Sequence, residues 1–371
     1  MPLPDVVVVG GGAIGCSIAY HLSKAGAQVL IIEKEEIGSQ ASRAAAGMLV
    51  PLAEATGPSP FLDLGLASLR RFPSIAQELK EESGIDIEFV PSGVLVLALS
   101  DEDEKELKSS FEWQKNAGLA VEWLSADDVR QLEPALSPQI GGGVHSRQEG
   151  HVSGLRLTQA FAQAAVNRGA TLSLGTKATG LITRGARVSG VRLLDEEISA
   201  GHVVLATGAW TGMWREWLGP DLPIFPVRGQ ILAVHQLPVP LRRCIYGGHQ
   251  GYLVPKADGT VIVGATQEQV GFDSRVTTEG IGYLLNMAPQ LVPALADATF
   301  CRAWACLRPG SGDDLPLLGS LPDWHGLTLA AGHFRNGILL SPITGQLIAE
   351  LLIEERTSMP LTPFDPGRFT S

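Results

Sequence analysis

No run of lysine or arginine appears anywhere in this sequence, and 39 acidic against 28 basic residues give a formal net charge of −11. Nucleic acid and anionic membrane surfaces, which call for basic patches, are therefore not expected as partners. Cysteine is scarce: Cys16, Cys244, Cys301 and Cys306 include no CxxC pair, so no metal site is read and a reduced, cytoplasmic chain is expected. The opening MPLPDVVVV has no basic segment ahead of its apolar run, which argues against a cleaved leader. The longest late apolar stretch, 337–353, is broken by Gln346 and Glu350 and falls short of the roughly 20 residues that span a bilayer. Internal repeats and low-complexity tracts are missing too. With 45% hydrophobic and 18% charged residues, the 371-residue chain is globular and long enough for about two domains.

What is present starts at once. Between Asp5 and Glu33 lie four valines, glycines at Gly10, Gly12 and Gly15, an apolar-periodic segment (Ile14, Ile18, Leu22), a second apolar run and an acid. This reads as strand, tight turn, helix and strand. With 43 glycines in the chain, three at this spacing carry little alone; the strand before them and the helix after them make the pattern a dinucleotide grip. Gly10 permits the turn, Gly12 lets backbone approach a pyrophosphate, and Gly15 lets helix and strand pack closely. The helix N-terminus, including Ala13 and Ile14, offers N–H groups to phosphates, and Glu33, with Lys34 beside it, would accept from a ribose.

Further along, IGSQASRAAAG is a small-residue loop suited to lie against a ligand. Residues 61–84 read as helix with an interruption at Pro73, and 85–99 as strands around Pro91-Ser92-Gly93. Residues 101–117 read as a helix with a solvated charged face, and 155–168 as a helix closed by Gly169. Short strands are expected over 171–174, 178–183 and 187–194, and HVVLA at 202–206 reads as a buried parallel strand ending in the turn Thr207-Gly208-Ala209-Trp210. Residues 223–266 are antiparallel in pattern, 327–331 is another buried strand, and a last helix is expected with Ser341 as N-cap and Pro342 in its first turn. The expected fold class is α/β: a Rossmann-like dinucleotide domain (1–84, 150–220 and 322–371) interleaved with an α+β substrate domain (85–149 and 221–321) on an antiparallel sheet.

The segments VVVVGGGAIGCSIAYHL, SRAAAGML, HVVLATGAW, CLRPGSGDDLPLLG and AGHFRNGILLSPITGQLIAELL, in this order, resemble the FAD-dependent glycine/D-amino-acid oxidase family over essentially the whole chain, and within it the glycine oxidases of thiamine biosynthesis. The resemblance implies non-covalent FAD, its adenosine end at the N-terminal turn and Glu33. Ser42, Ala46, Gly47 and Met48 match the loop near pyrophosphate and flavin, and Ala178 a position at the adenine half. Ala206, Gly208 and Trp210 fall in the second turn. His333, Phe334, Arg335, Asn336, Gly337, Ile338 and Leu339 match the segment that wraps the flavin ring, with His333 as a backbone contact rather than a base.

The same resemblance makes Arg308 the clamp on a substrate carboxylate, Tyr252 its partner, and Arg335 a second arginine near the site; the bland reading of Arg308 is an ion pair to Asp313 or Asp314. It implies oxidation of glycine, sarcosine or small D-amino acids to imine, oxo acid and ammonia, with oxygen reduced to hydrogen peroxide, by a homo-oligomer, in the family a tetramer. The alternatives are a D-amino-acid or sarcosine dehydrogenase or oxidase of another pathway, and a non-catalytic flavin-binding subunit. Departures from the family pattern fall at Gln250 (or His249) and Gln267, where pocket polarity would differ. Cys306 stands where some relatives link their flavin and is read as a buried thiol.

Overall fold

Four consecutive valines leave no side chain suited to water on either side of their strand, so Val6–Val9 is expected in the middle of a sheet covered on both faces. In the computed structural model, which describes residues 3–219, 222–247 and 251–369, all four are buried. The strand pairs in parallel with Val29–Ile32 on one side and His202–Leu205 on the other. Thr171–Ser173 extends the sheet beyond Val29–Ile32, and Leu327–Ala331 and Leu317–Ser320 complete six strands at the other edge. Alternate residues serve different layers. Val6 and Val8 pack with Ile18, Leu22, Phe161 and Ile343 of the helices Ala13–Lys24, Gly154–Asn167 and Gly337–Glu354. Val7 and Val9 pack with Leu181, Val188 and Val191 of a three-stranded antiparallel sheet.

An eight-stranded sheet stands beside it, in the order Thr299–Ser311, Ile224–His235, Val261–Gly264, Tyr252–Pro255, Cys244–Tyr246, Val94–Ala98, Gly142–Ser146 and Val121–Ser125. It is antiparallel except where Cys244–Tyr246 meets Val94–Ala98. The helix Thr278–Leu291 packs on one face through Leu284, Met287, Ala288 and Leu291. The two longest strands fix the register that matters below, with Val227 opposite Arg308 and Gly229 opposite Cys306.

Four expectations are corrected. Residues 61–84 form two helices, Pro60–Leu69 and Phe72–Ser83, and Pro73 lies in the first turn of the second, where a missing N–H costs nothing. The expected strand near 85–90 is only a bridge from Val90 to His151, because the Asp86 carboxylate accepts the Glu88 N–H at 2.9 Å and turns the chain, with Glu88 at φ 56°. Leu317–Ser320, within the segment assigned to the antiparallel domain, pairs instead with Leu327–Ala331 in the parallel sheet, since the short link between them makes the two a hairpin. The last helix begins at Gly337 with Asn336 as N-cap, so Ser341 and Pro342 lie inside it. Proline there removes the N–H that Ile338 O would accept; the Ser341 hydroxyl donates to that carbonyl at 2.9 Å and replaces it. This helix is apolar because it is core: it crosses Ala13–Lys24 so closely that a Cβ at Gly345 would lie 2.7 Å from the Ser17 backbone.

Candidate functional site

A cavity of about 1080 Å³ runs between the two sheets, from Gly10, Glu33 and Ala178 at one end to Tyr252, Arg308 and Arg335 at the other. That is at or above the upper end of small-ligand pockets, which are ~300–1,000 Å³, and it suits an extended dinucleotide together with a small second molecule.

The nucleotide end is built from backbone. Gly10 has φ +114°, and a Cβ there would meet Ala206 O at 2.3 Å; a Cβ at Gly15 would meet Gly10 O at 2.0 Å. Gly15 therefore acts through packing and does not itself line the cavity, whereas Gly10, Gly12, Ala13 and Ile14 do. Glu33 is buried, each carboxylate oxygen taking one backbone N–H, Gly11 at 2.7 Å and Glu35 at 2.9 Å. Two bonds leave a carboxylate with acceptor capacity for hydroxyl groups facing it. Ser42 Oγ accepts the Ala13 N–H at 3.0 Å, which ties the small-residue loop to the helix start. The loop itself is pinned from behind: Lys256 Nζ donates to Ala46 O at 2.6 Å and to Val152 O at 3.2 Å, and a Cβ at Gly47 (φ +84°) would meet Val152 O at 2.0 Å. Lys34 lies 3.8 Å from the Trp210 ring centroid on the opposite wall, with Ala206 and Gly208. A glycine turn, a carboxylate with spare acceptor sites and a helix end with no cap from its own N-cap residue fit the adenosine and pyrophosphate of FAD.

At the other end Met48, His333, Phe334, Arg335, Asn336, Gly337 and Ile338 line the wall, and the N-terminus of the last helix, lacking a side-chain cap, opens on the cavity. The positive end of its dipole favours an anion there. Leu339, expected at the cofactor, is a correction: it is 1% exposed and packs into the helical core, because one residue further round the helix points away from the cavity. His333 turns its ring to the Thr344 hydroxyl at 3.1 Å, in keeping with a backbone rather than an acid–base role. Cys306 lines the cavity as a buried thiol held protonated by its burial.

Arg308 is not an ion pair with Asp313, which instead holds Arg368 at 2.8 Å. Its Nη1 donates to Thr266 O at 3.0 Å, leaving other donors for a ligand. Behind Thr266 stands a network that fixes this geometry: the Thr266 hydroxyl donates to Glu268 at 2.5 Å, Gln230 Nε2 donates to Glu268 at 2.8 Å, and buried Arg228 pairs with Glu268 and Asp273. Two glycines seat this pair of cavity-lining side chains. A Cβ at Gly229 would fall 2.2 Å from the Arg308 guanidinium, and one at Gly264 2.5 Å from the Tyr252 hydroxyl. Burial, partly opposed by Arg308, pushes the Tyr252 phenol up to about 12, so it is a donor.

Arg335 also lines the cavity, but its guanidinium is paired with the buried carboxylate of Glu54, whose other oxygen accepts the Tyr246 hydroxyl at 3.3 Å. Sequence reasoning missed Glu54 and Tyr246; the available signal was one acid in the short apolar stretch PLAE and one tyrosine in the strand neighbouring that of Tyr252. Gln267 stands exposed at the mouth, while His249 and Gln250 lie outside the described residues.

Around the cavity His151 and His333 are buried, and burial pushes both down to about 3. Unfolded, they titrate near 6.5, so below that pH the unfolded chain binds more protons. Stability is fully present above pH 6.5 and is lost as pH falls toward 3, by about 1.4 kcal/mol per pH unit for each. Glu149, raised by burial to about 8, opposes this, since its contribution grows as pH falls from 8 toward 4.5. Glu54 and Glu133, raised by burial, act with Glu149, and His21 and His202, pushed down by burial to about 4, act with the other two histidines. The histidines outnumber these carboxyls, so urea unfolding midpoints are expected to fall between about pH 6.5 and 5, and to fall more steeply in Glu149→Gln.

Residues 5–351 match the model of a family described as FAD dependent oxidoreductase. Glycine oxidase of Geobacillus kaustophilus is 38% identical over 98% of this chain and 97% of that protein, and its crystal structure superposes with a TM-score of 0.95 at 37% identity, covering 98% of both chains. The bifunctional protein ThiO/ThiG of Synechocystis is 37% identical over 98% of this chain, which spans 54% of that longer protein. Hydrogen cyanide synthase subunit HcnC of Pseudomonas aeruginosa is 33% identical over 98% of this chain and 96% of that subunit.

Proposed function

The chain belongs to the FAD-dependent oxidoreductase family, and from that premise we propose that it is a flavoprotein oxidase acting on glycine, and also on sarcosine and small D-amino acids. The products are the imine, then the oxo acid and ammonia, with oxygen reduced to hydrogen peroxide. The observation that carries this reading is the position of Arg308 and Tyr252, two donors on strands of one sheet, at one end of a cavity whose other end is a dinucleotide grip. Similarity to glycine oxidases and to a ThiO/ThiG protein supports glycine as substrate and thiamine thiazole formation as the purpose.

FAD, when bound, accepts the two electrons that leave with the substrate Cα–H. The protein's share is placement and charge. Arg308 receives the amino-acid carboxylate on the donors that Thr266 leaves free, and the protonated Tyr252 hydroxyl donates to the same group. Seated on hydrogen-bonded strands, the two residues hold the reacting carbon in one orientation, the main source of rate when no covalent step on the protein is needed. The cavity is largely apolar-walled, which disfavours the ammonium form of the substrate and assists its loss of a proton. In the same reading the six-stranded sheet with its helices is the FAD-binding domain, now including Leu317–Ser320, and the eight-stranded sheet is the substrate domain. Four free cysteines accord with the cytoplasm, and assembly as a homotetramer follows from the family likeness.

Anaerobic mixing of the yellow protein with glycine, sarcosine, D-alanine and D-proline is expected to bleach the flavin, and admitting air to restore the colour with peroxide formed. Failure of every amine to bleach it overturns the reading. Bleaching without recovery in air would make the protein a dehydrogenase, and cyanide among the glycine products would move it toward the HcnC type.

A further inference from the structure

Glu54 ends the single helical turn Pro51–Glu54, and its side chain is only 7% exposed although it lines the cavity. Its surroundings are unusually complete. Tyr246 donates to one oxygen, Arg335 pairs with the other, Arg308 adds a second positive charge nearby and Asp314 a negative one; burial nonetheless keeps this carboxyl above its ordinary range. Tyr246 stands directly opposite Tyr252 on the neighbouring strand, so the residues around Glu54 and those around Arg308 share one end of the cavity. The turn that carries it is itself anchored: buried Glu149 accepts the Leu52 N–H at 2.7 Å.

Such an arrangement is costly if its purpose is only to hold Arg335. That guanidinium is 42% exposed, and an ion pair with one partner in water contributes less than burying a carboxylate costs. A zwitterionic substrate changes the balance. Its carboxylate calls for Arg308, and its ammonium, two bonds away, calls for an anion on the same wall. Tyr246 and Arg335 occupy two of about four acceptor positions on the Glu54 carboxylate, leaving room for another donor.

We propose that Glu54 receives the amino group of the substrate and takes the proton that must leave it. The step balances simply: an N–H bond of the ammonium breaks, an O–H bond forms on Glu54, and the electron pair stays on nitrogen, leaving the neutral amine from which oxidation proceeds. The proton passes to water at the mouth, beside half-exposed Arg335, when product departs. This rests on the amino-acid oxidase reading above and assigns the amine half of the same site.

The variant Glu54→Gln keeps the shape and removes the charge. In the FAD-loaded enzyme the KM for glycine is expected to rise on the order of 10-fold or more, the loss of a charge-assisted hydrogen bond, and the acidic limb of the kcat/KM profile to disappear. Acetate and glycolate, carboxylates without an amine, are expected to perturb the flavin spectrum with unchanged or tighter Kd. Glu54→Asp, which retains the charge, is expected to retain the acidic limb with a raised KM, and it serves alone if Glu54→Gln does not fold. An unaltered glycine KM and pH profile in Glu54→Gln, loss of the acidic limb in Glu54→Asp, or equal weakening of glycine and acetate would overturn the proposal, the last because it marks Glu54 as a mere prop for the wall. If the wild-type flavin is not bleached by any amine, it is the oxidase reading that fails; if it is bleached and Glu54→Gln behaves identically, only this assignment does.

Discussion

Arg308→Ala is expected to lower kcat/KM for glycine on the order of 100- to 1,000-fold while leaving FAD content and the thermal midpoint close to those of the parent protein. The guanidinium stands at the opposite end of the cavity from Gly10 and Glu33, and within the protein it meets a backbone carbonyl, Thr266 O, and the neighbouring Tyr252 hydroxyl. Its removal therefore spares the cofactor grip and the fold. What is lost is one member of a buried, hydrogen-bonded charge pair with the substrate, worth about 2–5 kcal/mol. Arg308→Lys should recover only part of the loss, because an ammonium cannot reproduce the planar fork that meets both a carboxylate and Thr266 O. Flavin reduction in a stopped-flow experiment separates these cases. A variant that reduces its flavin at the parental rate with glycine would remove Arg308 from the site.

The second large effect is expected from Gly10→Ala, and it is of the opposite kind: loss of bound FAD and of stability together. A methyl group at this position would sit 2.3 Å from Ala206 O, and the φ of +114° is one that residues with a side chain rarely adopt. Neither neighbour can yield, since both belong to the central strand pair Val6–Val9 and His202–Leu205 or to the residues directly following it. The left-handed conformation alone costs about 1–2 kcal/mol, and the collision adds to it. Purified Gly10→Ala should be pale, with a lowered absorbance ratio of flavin to protein and a thermal midpoint that exogenous FAD raises only weakly. Full yellow colour and parental stability would contradict the role given to this turn.

The nucleotide end was legible in the sequence because its determinants are local. Val6–Val9, the three glycines and Glu33 lie within one strand–helix–strand unit, where period and spacing carry the physics. The buried strands His202–Leu205 and Leu327–Ala331 were legible for a similar reason, an unbroken apolar run. Segments ruled by a single side chain were not. The turn at Glu88 depends on the Asp86 carboxylate capturing one N–H, and the passage of the last helix through Pro342 depends on the Ser341 hydroxyl answering one carbonyl. Leu317–Ser320 joined the parallel sheet through a hairpin whose partner strand decided its fate. At the substrate end, Tyr252, Arg308 and Arg335 came from likeness to a family rather than from pattern, and all three line the cavity. Glu54 and Tyr246 had no comparable signal, for they meet across 192 positions of chain.

Gly229 and Gly264 have a consequence for how this site can change. Because bare backbone lies under the Arg308 guanidinium and the Tyr252 hydroxyl, this floor of the cavity has no side chain to exchange, and a Cβ at either glycine would displace Arg308 or Tyr252. Variation in substrate is therefore expected at residues that border the cavity without supporting Arg308 or Tyr252, such as exposed Gln267. A library built at that mouth is expected to explore amines of different bulk with Arg308 and Tyr252 in place, whereas one built on the floor would displace those two side chains.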